Sequence, residues 1–261
     1  MPIIEQYAAG SIFSGGKGQA TPFQNPADYA AFAKIVTKHV TAKYPQIKRV
    51  ELFNEPNNHG WGSFPVDGSY TKPDESGVEA AIYMKAAYKA VKEVSPKMIV
   101  VGPALATGGR HTDSRRFLQT MLANGCGPDS CYDVLSVHNY DWEDPTNERE
   151  SEATFGIYRE LQKILAKNGH PGIHVMLTEW GFSTAENPYG FDPRVQARYL
   201  AIGLNRMLAD PTIDGVTYVN IVNPSCKPSC PQDFWGRTAL TDATGTELPG
   251  FAILKEFATR H

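Results

Sequence analysis

Short runs of β-branched and apolar residues alternate along the chain with longer stretches in which apolar residues recur every three or four positions. The first pattern is that of strands and the second that of amphipathic helices. Pro2 to Ala8 (PIIEQYA) predicts a strand, followed by a Gly/Ser loop. Asn25 then Pro26 predicts a helix start, because Asn caps the first turn and proline's fixed φ suits the first helical position. That helix is expected to reach about Tyr44, with Phe32, Ile35, Val36 and Val40 as its apolar stripe. Arg49 to Asn54 (RVELFN) predicts the next strand, and Ser76-Gly77-Val78-Glu79 reads as a capping box opening a helix to about Ser95. Further strands are expected at Met98 to Pro103, Val134 to Tyr140, His174 to Thr178 and Gly215 to Val222. Helices are expected at Ser114 to Ala123, Ser151 to Asn168, Pro193 (after Asp192) to Ala209, and Gly250 to Thr259.

Six strand–helix units without a hairpin signal imply an α/β protein with a parallel sheet and right-handed crossovers. Two architectures fit: a (β/α) TIM-type barrel and an open doubly wound sheet. An open sheet usually places its ligand loop after the first strand. Here polar and aromatic loops follow nearly every strand, which favours the barrel. A chain of 261 residues is compatible with one barrel domain spanning 1–261.

Composition narrows the function classes. Hydrophobic residues make up 41% and charged residues 20%, a globular balance that excludes a disordered chain. No run of about 18 apolar residues occurs, so no membrane-spanning helix is expected. The formal net charge of −3 comes without a Lys/Arg cluster, so no nucleic-acid or anionic-membrane partner is expected. The four cysteines fall in two local pairs, Cys126/Cys131 around GPDS and Cys226/Cys230 around KPS. Two short disulfides are the preferred reading, each worth roughly 2 kcal/mol. Four reduced thiols and a zinc site are the alternatives. The zinc reading suffers because the pairs are about 100 residues apart and would sit at opposite ends of a barrel, away from any shared tetrahedron. Disulfides favour a secreted or periplasmic protein. Against that, MPIIEQYAAG shows neither a basic n-region nor a long apolar core of the signal-peptide kind.

Several motifs are decoys. Ser11 to Gly18 (SIFSGGKG) follows a strand, but Gly18 stands where a phosphate loop needs Ser or Thr, and Pro22 and Pro26 separate Lys17 from the next helix. His59 and His111 read as solvated loop residues. More telling is that Trp61, Trp142, Trp180 and Trp235 all lie just beyond the C-terminal ends of expected strands. In a barrel every such loop converges on the face that holds the active site. Four indoles there suggest a cleft that stacks on sugar rings, although each alone would serve as a loop anchor. Two carboxylates share the same rim: Glu55 in ELFNEPNN and Glu179 in VMLTEWGFS. Two such groups supply the acid and the nucleophile of glycosidic cleavage; each singly would also fit a salt bridge. Glu5 and Glu51 lie within strands and read as buried, hydrogen-bonded structural groups.

These residues carry a family resemblance. Phe53-Asn54-Glu55-Pro56-Asn57 resembles the acid/base signature of the clan A glycoside hydrolases after their fourth strand, and Thr178-Glu179-Trp180-Gly181 resembles their nucleophile signature after the seventh. ELFNEPN is nearest to family 39 and its endo-acting relatives; His138-Asn139-Tyr140 resembles the H-x-Y of family 5. The resemblance implies a retaining β-glycosidase. Glu55 would act as acid/base, with a raised pKa, and Glu179 as an ionised nucleophile. Asn54 would bind the sugar 2-hydroxyl, Tyr140 would hydrogen-bond Glu179, and His138 would orient that network or else be a satisfied core histidine. Trp235 would lie under the sugar at the cleavage point, with Trp61, Trp142 and Trp180 along neighbouring subsites. Neither metal nor cofactor is called for. The expected partner is an oligo- or polysaccharide or a small β-glycoside; the sugar, linkage and exo or endo action are not readable.

The same alignment of motifs exposes a departure. If Glu55 follows the fourth strand, only one strand precedes it, so the barrel is incomplete, with about six β/α units instead of eight. Either the chain is a fragment or the barrel is naturally short. Its first and last strands would be open edges, and a homo-oligomer, a dimer being the commonest, is expected to cover them. Two other readings remain: a carbohydrate-binding protein that has lost activity, and an acid/base enzyme acting on a non-sugar substrate. The cysteine spacing yields a direct test. Non-reducing peptide mapping should recover Cys226 linked to Cys230, and free thiols at both positions in air-exposed protein would refute the second bridge.

Overall fold

The computed structural model describes residues 3–4, 25–57, 73–107, 113–140, 156–186, 190–222, 236–242 and 244–260. The expectations for Glu5, Ser11 to Gly18, His59, Trp61, His111, Trp142, Cys226, Cys230 and Trp235 lie outside the described residues. The fold is α/β, an incomplete TIM-type (β/α) barrel in which strands and helices alternate as the periodicity predicts. In chain order the elements are β1 (Ile3–Ile4), α1 (Pro26–Lys43), β2 (Arg49–Leu52), α2 (Pro73–Val94), β3 (Ile99–Ala106), α3 (Ser114–Ala123), β4 (Val134–His138), α4 (Ile157–Lys167), β5 (Val175–Trp180), α5 (Pro193–Leu208), β6 (Ile213–Tyr218) and α6 (Pro249–Arg260). The chain divides into two compact units, residues 1–138 with 158–176, and residues 139–157 with 177–261.

In the first unit β1, β2, β3 and β4 pair in parallel, with Ile3 opposite Glu51, Val50 opposite Val100 and Ala104 opposite Ser136. Leu135 N–H donates to the His174 carbonyl at 3.1 Å, which brings the start of β5 beside β4. Helix α1 packs on α2 and α2 on α3. The Asn25 side chain accepts from the Asp28 N–H at 2.9 Å, so α1 starts where the Asn-Pro pair predicts. Its buried face differs from the expected stripe. Tyr29, Ala33, Thr37 and Val40 are buried, whereas Ile35 is 61% exposed. Tyr29 stacks on Phe53 with ring centroids 5.1 Å apart and so sets the rotation of the helix. Thr37 tolerates burial because its hydroxyl donates to the Ala33 carbonyl at 2.7 Å.

Two boundaries are corrected. Helix α2 begins at Pro73, so Ser76 to Glu79 lie inside it rather than capping it; proline at the first position supplies the start. Strand β3 continues three residues past Pro103, because a bulge between Val101 and Ala104 absorbs the missing N–H and pairing resumes at Ala104. Between α3 and β4 the turn is closed by a Cys126–Cys131 disulfide with the Cα atoms 5.4 Å apart, as the spacing predicts.

The second unit holds Leu177 to Trp180 of β5, then α5, β6 and α6. Asp192 caps α5 by accepting from the Arg194 N–H at 2.8 Å, and α5 packs on α6. Strand β6 starts two residues before the expected Gly215 and ends at Tyr218 rather than Val222. It ends there because the Asn220 and Ile221 carbonyls accept from the Leu240 N–H, each at 3.1 Å, instead of continuing a ladder.

One side chain ties three elements of the first unit together. Asp133 accepts from the Tyr88 hydroxyl at 2.9 Å, the Lys92 ammonium at 2.7 Å and the Val100 N–H at 2.7 Å. Burial, and then the Asp133 carboxylate, push the Tyr88 phenol up, so it stays a donor throughout the physiological range. Asp133→Ala would leave the Val100 N–H and Lys92 without this acceptor. It should cost about 2–3 kcal/mol, read as a lower urea midpoint at unchanged m-value.

Candidate active site

In the first unit the ladder of β2 stops at Leu52 and the chain turns sharply through Phe53, Asn54 and Glu55. Phe53 has φ 66° and Glu55 φ 45°, left-handed values that non-glycine residues rarely adopt. Asn54 bridges to Ala104 on β3, with the Ala104 N–H donating to the Phe53 carbonyl at 3.0 Å and the Glu55 N–H donating to the Ala104 carbonyl at 2.9 Å. This close approach requires a glycine across the way: a Cβ on Gly102, which has φ 138°, would fall 2.3 Å from the Leu52 carbonyl oxygen. The turn sends the Phe53 ring back onto Tyr29 and leaves the Glu55 side chain 14% exposed at the strand tip.

His138, the last residue of β4, lies with Nδ1 2.9 Å from Glu55 Oε1, its side chain fully buried. One proton between these atoms serves both protonation states of the carboxyl: the imidazole donates to the carboxylate or accepts from the acid. Below them on the same strands, the Ser136 hydroxyl donates to Glu51 at 2.5 Å, with Glu51 only 1% exposed. Glu51 is thus the buried structural carboxylate that its mid-strand position predicts.

In the second unit Glu179 is the penultimate residue of β5 and is half-buried. The buried Tyr140 hydroxyl donates to its Oε2 at 2.6 Å, and the Asn139 N–H donates to its backbone carbonyl at 2.9 Å. Side chain and main chain of Glu179 are therefore both held by the segment just after β4. The strand exit also explains the glycine of T-E-W-G. The Val219 N–H donates to the Trp180 carbonyl at 2.9 Å, and a Cβ on Gly181 would come within 2.7 Å of the Val219 oxygen. Trp180 itself is fully buried, edge-on to Phe182 at 5.3 Å and to Tyr218 at 5.9 Å. Burial raises the Tyr218 phenol, which donates to the Thr238 carbonyl at 2.8 Å.

Of the residues singled out from sequence, Glu55 and His138 meet in one unit, and Tyr140 and Glu179 in the other. Asn54 sits at the β2 turn beside Glu55. Trp180 differs from expectation: with its indole enclosed by Phe182 and Tyr218 it packs the strand end and presents no open face to a sugar. Two residues given no role by sequence bond to the backbone near Glu55 and His138. The Asn57 side chain, fully buried, both accepts from the Ala106 N–H and donates to the Ala106 carbonyl, each at 2.9 Å. The Thr107 hydroxyl donates to the His138 carbonyl at 2.7 Å. The only sequence signal for Asn57 is its place at the end of N-E-P-N; Thr107 has none.

The β/α fold and the family model together put the chain among the clan A glycoside hydrolases. A family model described as Cellulase (glycosyl hydrolase family 5) matches residues 12–208, and the chain belongs to that family. Among solved structures it is similar to a family 39 β-xylosidase from Caulobacter crescentus, with 20% identity and TM-score 0.62 over 94% of this chain and 49% of that one. It is similar also to a family 39 glycoside hydrolase from Bacteroides cellulosilyticus WH2, with 20% identity and TM-score 0.63 over 88% of this chain and 44% of that one. A family 128 curdlan-specific exo-β-1,3-glucanase from Blastomyces gilchristii, solved with glucose, matches at 18% identity and TM-score 0.55, over 88% of this chain and 76% of that one. At these identities the likeness is one of fold. The chain spans about half the length of the family 39 structures. No curated protein matches it.

Proposed function

We propose that the chain carries the catalytic residues of a retaining β-glycosidase, with Glu179 as nucleophile and Glu55 as acid/base. The observation that supports this most is the state of Glu179. It is a half-buried carboxylate in T-E-W-G that accepts a hydrogen bond from the buried Tyr140 hydroxyl at 2.6 Å. In the first step a Glu179 oxygen bonds to the anomeric carbon while the glycosidic C–O bond breaks and Glu55 gives its proton to the leaving oxygen. In the second, water attacks that carbon, Glu55 takes the water proton and the Glu179 ester bond breaks. Retention by this route requires the carboxyl groups to lie about 5–5.5 Å apart. Asn54, beside Glu55, is assigned to the sugar 2-hydroxyl, and His138 holds the Glu55 carboxyl.

The substrate assigned is a β-linked oligo- or polysaccharide or a small β-glycoside. The β-xylosidase and β-1,3-glucanase among the similar folds favour a neutral sugar. Trp61, Trp142 and Trp235 remain the residues assigned to stacking. A homo-oligomer belongs to the same reading: every β6 residue before Tyr218 is at least partly exposed, and Ile221 and Val222 are 50% and 54% exposed.

Glu179→Ala should lose nearly all turnover of an aryl β-glycoside, and added azide should restore part of it, giving the α-glycosyl azide. Wild-type turnover in the variant rejects the nucleophile. Glu55→Gln should lower kcat/KM by about 10²-fold or more on glycosides with poor leaving groups and far less on dinitrophenyl glycosides, because acid assistance in the first step matters most where the leaving oxygen is basic. Equal losses on both reject Glu55 as the acid.

A further inference from the structure

Strand β2 ends before it reaches Glu55, so its own ladder does not place the carboxyl. The Phe53–Glu55 turn is also locally unfavourable: a left-handed backbone costs roughly 1–2 kcal/mol at each non-glycine residue. What holds it is the end of β3. Ala104 takes both backbone bonds that flank Asn54. Two residues on, where the next backbone bonds of a parallel pair would fall, the Asn57 amide substitutes for a strand and bonds both the N–H and the carbonyl of Ala106. The next residue, Thr107, reaches the other way and donates to the carbonyl of His138, whose ring meets Glu55. The path is a closed circuit: Glu55 to Asn57 along the chain, Asn57 to Ala106, Thr107 to His138, and His138 back to Glu55.

We propose that Asn57 and Thr107 are positioning residues that use the end of β3 to set the Glu55 carboxyl against His138. The catalytic meaning of this rests on the acid/base reading of Glu55; the geometric part does not. Their bonds described above go to backbone atoms, at Ala106 and at His138. Asn57 fixes the chain on the far side of the strained turn, and Thr107 fixes the main chain from which the imidazole projects. Losing either lets Glu55 and His138 drift apart, and a displacement of about 1 Å at a reacting group costs on the order of 10²-fold in rate.

The test compares Thr107→Val, Thr107→Ser and Asn57→Asp with the unaltered chain, each first shown to be folded by its thermal melting curve. Rates are measured on a methyl and a dinitrophenyl β-glycoside of the same sugar, and the His138 Nδ1 resonance is followed by NMR. Thr107→Val and Asn57→Asp should lower kcat/KM on the methyl glycoside about tenfold to a hundredfold. On the dinitrophenyl glycoside the loss should stay within about threefold. Thr107→Ser should restore most of the rate, and Thr107→Val should add no further loss to Glu55→Gln. Equal losses on both glycosides, or a loss that persists in full in the Glu55→Gln background, would mean a general structural role and overturn the proposal. If Glu55→Gln shows no leaving-group dependence, the acid assignment fails, and the resonance decides the geometry alone. A shift of the His138 Nδ1 signal toward its position in Glu55→Gln sustains the positioning role, and an unmoved signal in both variants ends it. Should Asn57→Asp fail to fold, Thr107→Val carries both readouts.

Discussion

The bond between Glu55 and His138 is the constraint from which the rest of the first unit can be understood. A carboxyl at a strand tip is mobile unless something buried grips it, and a fully buried imidazole 2.9 Å away is such a grip. To bring them together, β2 must stop early, its last residues must take left-handed backbone, and β3 must run on past its proline to support both neighbours. Gly102 is the steric condition for that approach, and the Phe53–Tyr29 stack fixes the ring that the turn displaces. The helix layer is thereby tied to the site: the rotation of α1 follows from an aromatic contact with Phe53, the first residue of the turn that ends β2.

The second unit solves the same problem by another route. Glu179 stays within its strand, so no strained turn is needed. Its carboxylate is held by a phenol and its main chain by the Asn139 N–H. The packing of Trp180, Phe182 and Tyr218 then stiffens the strand exit. In the roles proposed above, Glu179 must not move along its strand, and Glu55 must alternate between two protonation states. A hydroxyl donor suits the first requirement and an imidazole suits the second.

Much of this was legible in the sequence because the relevant signals are local. Asn25-Pro26 and Asp192-Pro193 act within four residues, and the helices they open begin as expected. The two glutamate motifs and the Cys126–Cys131 spacing are local as well. What was misread depends on partners far along the chain. The α1 stripe followed the most apolar residues, but Phe53 chose Tyr29, and Thr37 could be buried because it satisfies its own hydroxyl. Pro103 reads as a strand end until β4 is there to resume pairing beyond the bulge. Trp180 reads as a platform until Tyr218 closes over it. Asn57 and Thr107 were silent because they act on backbone atoms, which leave no trace in a residue pattern.

The Asn57 amide has one more consequence. It holds the N–H and the carbonyl of Ala106 with one side chain, where a further stretch of strand would spread the same bonds over several residues. A strand tolerates the loss of any one side chain because its bonds belong to the backbone. Here both bonds hang on a single amide, so one codon change at Asn57 removes the pair together.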